Sequence, residues 1–282
     1  MPRPLRFGFN PRLLPTSRPA MAKQLAQAVH VATQLGFEVI ELTLTEPMYE
    51  LGLRTVFGGE LLELMQTAPL QFHLHLFYGH DGPDEVGISD TNALARSRYL
   101  RRLTQVIEYF EANRPIRLYV IHSGARTVGF ESHLESLLKS YDVIQTMFPG
   151  IPVAIETGRP GSVLESPFDF ITFLEACPWA PFVFDPALAY QTVYCNRELF
   201  TQYLRALSKF TDRLVEIHWS NTAPGLQTDR PLHIPLEGGI DFELVMTLVG
   251  RNPATYHVLE TVATSPAALA RDRRVLLAAA VV

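Results

Sequence analysis

The run Ile151-Pro-Val-Ala-Ile-Glu156 is short, apolar and closed by one ionisable residue. Three later runs repeat the pattern: Pro181-Phe-Val-Phe-Asp185, Leu214-Val-Glu-Ile-His218 and Tyr256-His-Val-Leu-Glu260. Short runs rich in Val, Ile, Leu and Phe are the signature of strands buried on both faces. Four more precede them: residues 5–10 (LRFGFN), 37–44 (FEVIELTL), 71–77 (QFHLHLF) and 116–122 (IRLYVIH). The later four extend over 151–156, 181–185, 214–220 and 256–261, which makes eight strands.

Helical patterns fill the gaps. Leu25, Val29, Ala32 and Leu35 share a face, as do Tyr99, Leu103, Ile107 and Phe110. The sets Leu134, Leu137, Leu138, Tyr141, Ile144 and Leu199, Tyr203, Leu204, Leu207 do the same. All keep the three-to-four-residue spacing of amphipathic helices. Strand and helix alternate with no linker between them, so residues 1–282 are expected to form one domain around a parallel sheet. Eight units in 282 residues predict a closed (β/α)8 TIM barrel, for which ~250 residues is typical. An open doubly wound sheet is the competitor. It would usually carry a Gly-rich turn after its first strand, and Phe7-Gly8-Phe9-Asn10-Pro11 is not one.

The composition is 47% hydrophobic with a net charge of -5. That balance does not attract a polyanion and argues against nucleic acid as partner. The Arg96, Arg98, Arg101, Arg102 cluster reads as a solvated helix face. Two cysteines, Cys177 and Cys195, give neither a disulfide framework nor a Cys-x-x-Cys zinc pattern, which fits a reduced, cytoplasmic location. The N-terminus lacks a signal-peptide core, and the terminal VLLAAAVV is shorter than the ~18 apolar residues a membrane span needs. No membrane contact is expected, and a homo-oligomer is left open.

In such a barrel, chemistry sits at the C-terminal ends of the strands. Six strands carry a potential ligand there: His75, His122, Glu156, Asp185, His218 and Glu260. Taken singly, each has a bland reading, a hydrogen-bonded core histidine or half of a buried ion pair. Taken together they need a shared partner, because buried charge is costly unless paired. Arg126 and Arg159 are the only basic residues immediately after these strand ends. A divalent metal neutralises the carboxylates more completely. Three carboxylates and one imidazole suit Mn, Mg, Co or Fe, and two further histidines bring in Zn. His73 and His75 share a strand face, so either could be the inward ligand, and His75 is nearer the end. His233, in the long 221–240 loop with Asp229 and Glu237, is a candidate to reach the mouth and bind substrate. Trp219, Tyr78 and Tyr190 are candidates for an apolar substrate wall, with core packing as the alternative.

The motifs His75-Leu-Phe-Tyr78, Val-Ile-His122-Ser-Gly124, Ala-Ile-Glu156-Thr-Gly158, Phe-Asp185, Glu-Ile-His218 and Val-Leu-Glu260-Thr261, in this order, resemble the xylose-isomerase-like barrel superfamily. That group includes endonuclease IV, hydroxypyruvate isomerase, inosose dehydratase and the ketohexose 3-epimerases. The resemblance implies that Glu156, Asp185, His218 and Glu260 hold the common metal. By resemblance to endonuclease IV, His75 and His122 join Glu156 at a second ion, so one or two ions are expected. A third ion there needs Asp-x-x-His and Asp-x-His. This chain has Asp185-Pro-Ala-Leu188 and Pro231-Leu-His233, losing the histidine of the first and the aspartate of the second. The epimerases also use a histidine at the position of Leu188.

Two activities follow as expectations. The first is a metal-dependent isomerase or epimerase of a small sugar, polyol or hydroxy-carbonyl compound. By that resemblance Glu156 and Glu260 are the catalytic pair and exchange a proton through an enediolate. The second is a two-metal hydrolase or phosphodiesterase of the endonuclease IV type, favoured by His75 and His122. A barrel that keeps the metal scaffold for another reaction is a third reading.

Overall fold

A computed structural model describes residues 5–13, 17–76, 87–114, 116–222, 236, 239–261 and 265–281. Eight strands are present: β1 (Arg6–Phe9), β2 (Val39–Leu44), β3 (Gln71–Leu76), β4 (Leu118–Ile121), β5 (Val153–Glu156), β6 (Phe182–Phe184), β7 (Leu214–Trp219) and β8 (Tyr256–Leu259). Every neighbouring pair is parallel, and β1 also pairs with β8, which closes the barrel in sequence order. The eight expected runs are therefore the eight strands, each trimmed by a few residues at its ends.

Helices return the chain between strands, and their starts are chemically marked. Ser17, Asn92, Ser166, Asn196 and Asp241 each accept backbone N–H groups of the first turn of a helix. Gly36 ends the helix Arg18–Leu35 in the left-handed region, at φ 65°. Most of the predicted helix faces are buried, with Leu25, Ala32, Leu103, Ile107, Phe110, Leu137 and Tyr141 at 1% exposure or less. Leu199 departs from its set and is 46% exposed. It lines a shallow apolar groove beside Phe168 and Tyr194.

Two cores result from the alternation of side chains across each strand. The large one lies between barrel and helices. The small one, Leu118, Val120, Ala154 and Val183 with Val215 against it, lies inside the barrel on the β4–β6 side. Its position on β4, β5 and β6 sets which residues of those strands point inward, and Glu156 and Asp185 follow two places after Ala154 and Val183. Gly8 also faces inward. A Cβ there would stand 2.9 Å from Val39 Cβ and 2.9 Å from its carbonyl oxygen, so the close approach of β1 to β2 needs glycine. Between Phe182 and Val183 the register with β7 shifts, a bulge that aligns Val183 with Glu216.

Candidate metal centre at the barrel mouth

The inward residues at the carboxyl ends of the strands are polar. Glu41 on β2, His75 on β3, Glu156 on β5 and His218 on β7 are at most 2% exposed. Asp185 and Glu260, just after β6 and β8, are 1% and 4% exposed. His122, just after β4, is the more open member, with its side chain 18% exposed.

Glu156 lies at the centre. Its Oε1 is 2.7 Å from His218 Nδ1. Its Oε2 is 3.3 Å from His75 Nε2 and 3.4 Å from His122 Nε2. The rings of His75 and His122 stack, and their Nε2 atoms are 2.7 Å apart. Asn10, at the end of β1, donates to Glu41 Oε1 at 3.0 Å and to Glu260 Oε1 at 3.3 Å, so it holds two carboxylates side by side. Asp185 uses Oδ1 to cap the helix Pro186–Thr192, accepting from Ala187 and Leu188 N–H. Its Oδ2 is buried with no hydrogen-bond partner.

The charges explain one another. Burial opposes ionisation of Glu156, but His218 and His75 outweigh it and hold the carboxyl far below its usual range. Burial likewise works against protonation of His218 and His75, and the surrounding glutamates lift both imidazoles well above the usual value. For Asp185 the help from Leu188 N–H and His218 is outweighed. Burial, then Glu156 and Glu260, push its carboxyl up to about 8.

Three sets of donor atoms lie within 4.8 Å of one another: Glu41, His75, His218, Glu260; His75, His122, Glu156; and Glu156, Asp185, Glu260. These sets fit divalent cations. A partnerless buried carboxylate oxygen among three crowded carboxylates is what a hard cation would satisfy, and the mixed oxygen and imidazole donors suit Mn, Fe, Co or Zn. All six strand-end residues expected from the sequence are thus brought to one mouth.

Sequence reasoning misses or passes over three inward residues. Glu41, Glu216 and His73 are each 0% exposed. Their signal is a charged or imidazole residue inside an apolar strand, with Glu216 and His73 two places before His218 and His75 and so on the same face. The aromatic wall needs correction. Trp219 is fully buried against the helix layer, where its Nε1–H donates to His257 Nδ1 at 3.0 Å and its ring meets Phe242. The strand alternation that turns His218 inward turns Trp219 outward. Tyr190 packs edge-on against Phe200. Tyr78, His233, Asp229 and Glu237 lie outside the described residues.

A profile of the family described as xylose isomerase-like TIM barrel matches residues 29–279. The chain belongs to this family. No curated protein sequence matches it. Among solved structures, a D-tagatose 3-epimerase-like protein is 14% identical, with 98% of this chain and 97% of that one covered at a TM-score of 0.72. An AP endonuclease, family 2, from Brucella melitensis is 14% identical, with 97% and 99% covered at 0.69. The 3-keto-D-glucoside 4-epimerase YcjR of E. coli is 14% identical, with 98% and 100% covered at 0.64. At such identities the likeness is one of fold. Family and neighbours together describe an enzyme with its reaction left open. Among the described residues no helix is long and apolar enough to cross a membrane.

Proposed function

We propose that this chain is a two-metal hydrolase acting on a small phosphoester or a comparable oxygen-rich substrate. The observation that carries this reading is the division of Glu156, with Oε1 toward His218 and Oε2 toward both His75 and His122. One ion would be held by Glu156, Asp185, His218 and Glu260, the other by His75, His122 and Glu156. Bound there, divalent ions supply Lewis acidity toward a phosphoryl oxygen and bring the pKa of water toward neutrality.

The protein's own residues do the rest. Glu156 would be shared between the two donor sets, one through each carboxylate oxygen. His122, with its side chain 18% exposed, meets the substrate side and can pass protons to solvent. The apolar cluster of Leu118, Val120, Ala154 and Val183 packs beneath the mouth on the β4–β6 side. Leu188 places an apolar side chain just after Asp185, where the resembling nucleases and epimerases carry a histidine. Net charge of -5 supports a small substrate over a nucleic acid.

A second reading, the isomerase or epimerase, is favoured by the grouping of Glu156 and Glu260 around Asp185, since two carboxylates could exchange a proton across a substrate. Two assays separate the readings. Purified protein loaded with Mn, Co or Zn is expected to hydrolyse bis(p-nitrophenyl) phosphate, with E156Q inactive. Deuterium incorporation from heavy water into a ketose, with no phosphodiester hydrolysis, would select the isomerase instead.

A further inference from the structure

A column of side chains runs up the barrel interior beneath the mouth. At its foot the Arg6 guanidinium lies 3.9 Å over the Tyr256 ring. His73 meets that ring edge-on, with centroids 4.7 Å apart at 89°. His73 Nδ1 is hydrogen-bonded to Glu216 Oε2. The other oxygen of Glu216, Oε1, is 2.8 Å from His218 Nε2. His218 Nδ1 then faces Glu156 Oε1 at 2.7 Å.

The donors along this column can be assigned. An ionised carboxylate only accepts hydrogen bonds, so the imidazole nitrogens facing Glu216 are the N–H donors, Nδ1 on His73 and Nε2 on His218. With Nε2–H held there, Nδ1, which faces Glu156 Oε1 and the mouth, is the nitrogen that a cation would take in place of its proton. Glu41 adds to the same restraint. Its Oε2 is 3.0 Å from His218 Nε2, and its Oε1 is held by Asn10. Metal-bound histidines commonly have their second nitrogen fixed by a carboxylate, which sets tautomer and ring orientation. Glu216 and His73 are both 0% exposed inside the barrel, a costly placement that two apolar residues would avoid.

We propose that Glu216, anchored by His73, is a positioning residue that locks His218 with Nδ1 toward the mouth as its ion-binding nitrogen. This rests on the metal-dependent reading. It assigns work to a buried pair that touches neither substrate nor ion.

The test is a titration of the metal-free full-length protein with Co2+, followed by visible absorption and by chelator competition. Wild type, E216Q, H73F and the double variant are compared, with the unfolding midpoint of each metal-free protein measured alongside. E216Q keeps the shape of the side chain and is expected to weaken Co2+ binding about 10–100-fold and to change the absorption band. H73F is expected to act in the same direction, and the double variant to lose less than the two single effects combined, because both residues work through one chain. Should E216Q not fold, H73F carries the same test. If the variants shift only the unfolding midpoints and bind Co2+ as wild type does, the positioning role is wrong while the metal reading stands. If wild type itself binds no Co2+, both are wrong.

Discussion

The Nε2 atoms of His75 and His122 face each other across 2.7 Å, with both rings stacked. A hydrogen bond across that gap needs a hydrogen on one Nε2 and a bare nitrogen on the other. Both nitrogens also converge on Glu156 Oε2. The arrangement gathers three donors, the set that the two-metal proposal assigns to a second cation.

Asp185 gives the first prediction. Its folded carboxyl is pushed up, by burial and then by Glu156 and Glu260, to about 8 from an ordinary 3.8. The unfolded chain releases this proton above 3.8 and the folded chain keeps it. Metal-free stability from this group therefore falls as pH rises from about 4 toward 8. Asp185→Asn removes the charge and keeps the Oδ1 acceptor that caps Pro186–Thr192. At pH 8 the metal-free variant is expected to be more stable than metal-free wild type, on the order of 1–3 kcal/mol. Added Mn2+ should raise the urea midpoint of wild type more than that of the variant, which of the two proposed sets keeps only His75, His122 and Glu156 intact.

His257 gives a second pH effect, away from the mouth. Burial pushes its imidazole down to about 4 from 6.5, and its Nδ1 accepts from Trp219. The unfolded chain takes up this proton below 6.5 and the folded chain resists until about 4. The stability it contributes is complete above 6.5 and is lost as pH falls toward 4, by roughly 3 kcal/mol. His257→Leu is less stable at pH 7, because the Trp219 N–H loses its acceptor. Its urea midpoint should nevertheless decline less between pH 6.5 and 4.5 than that of wild type; an equal decline would show that His257 titrates normally.

His133 ties two rim segments together. Its Nδ1 donates to the Ser89 carbonyl at 2.8 Å, and its Nε2 accepts from Thr127 N–H at 3.1 Å and Val128 N–H at 3.3 Å. Gly87 presses on the same strand end, where a Cβ would fall 2.4 Å from the Ser123 carbonyl oxygen. His133→Ala leaves these backbone groups unpaired and should cost about 1–3 kcal/mol. Amide exchange is expected to quicken over 87–92 and 123–129 first, next to His122. Unchanged protection there would mean the rim is held by other contacts.

The barrel was legible because strands buried on both faces are compact apolar runs. The runs at 37–44, 151–156 and 214–220 hold β2, β5 and β7 within two residues at each end. The ligand candidates at strand ends were legible for the same reason, since a charge that closes an apolar run stands out against it and must find a partner when buried. Glu41 and Glu216 were not, because each sits inside its run and reads as an interruption. Only the closed barrel shows that β2 and β7 aim these carboxylates at one imidazole, with Glu41 Oε2 and Glu216 Oε1 3.0 and 2.8 Å from His218 Nε2. Trp219 was misplaced by nearness in sequence. One step along a strand reverses the face, so the neighbour of an inward histidine packs outward.

The number of ions per chain tests the central claim most directly. Wild-type protein, stripped of metal, reloaded with Mn2+, Co2+ or Zn2+ and desalted, is expected to carry two ions per chain by elemental analysis with any one of them. The H75A/H122A double variant is expected to carry one, and E156Q fewer than wild type. A wild type that holds a single ion, retained in full by H75A/H122A, would contradict the two-metal account.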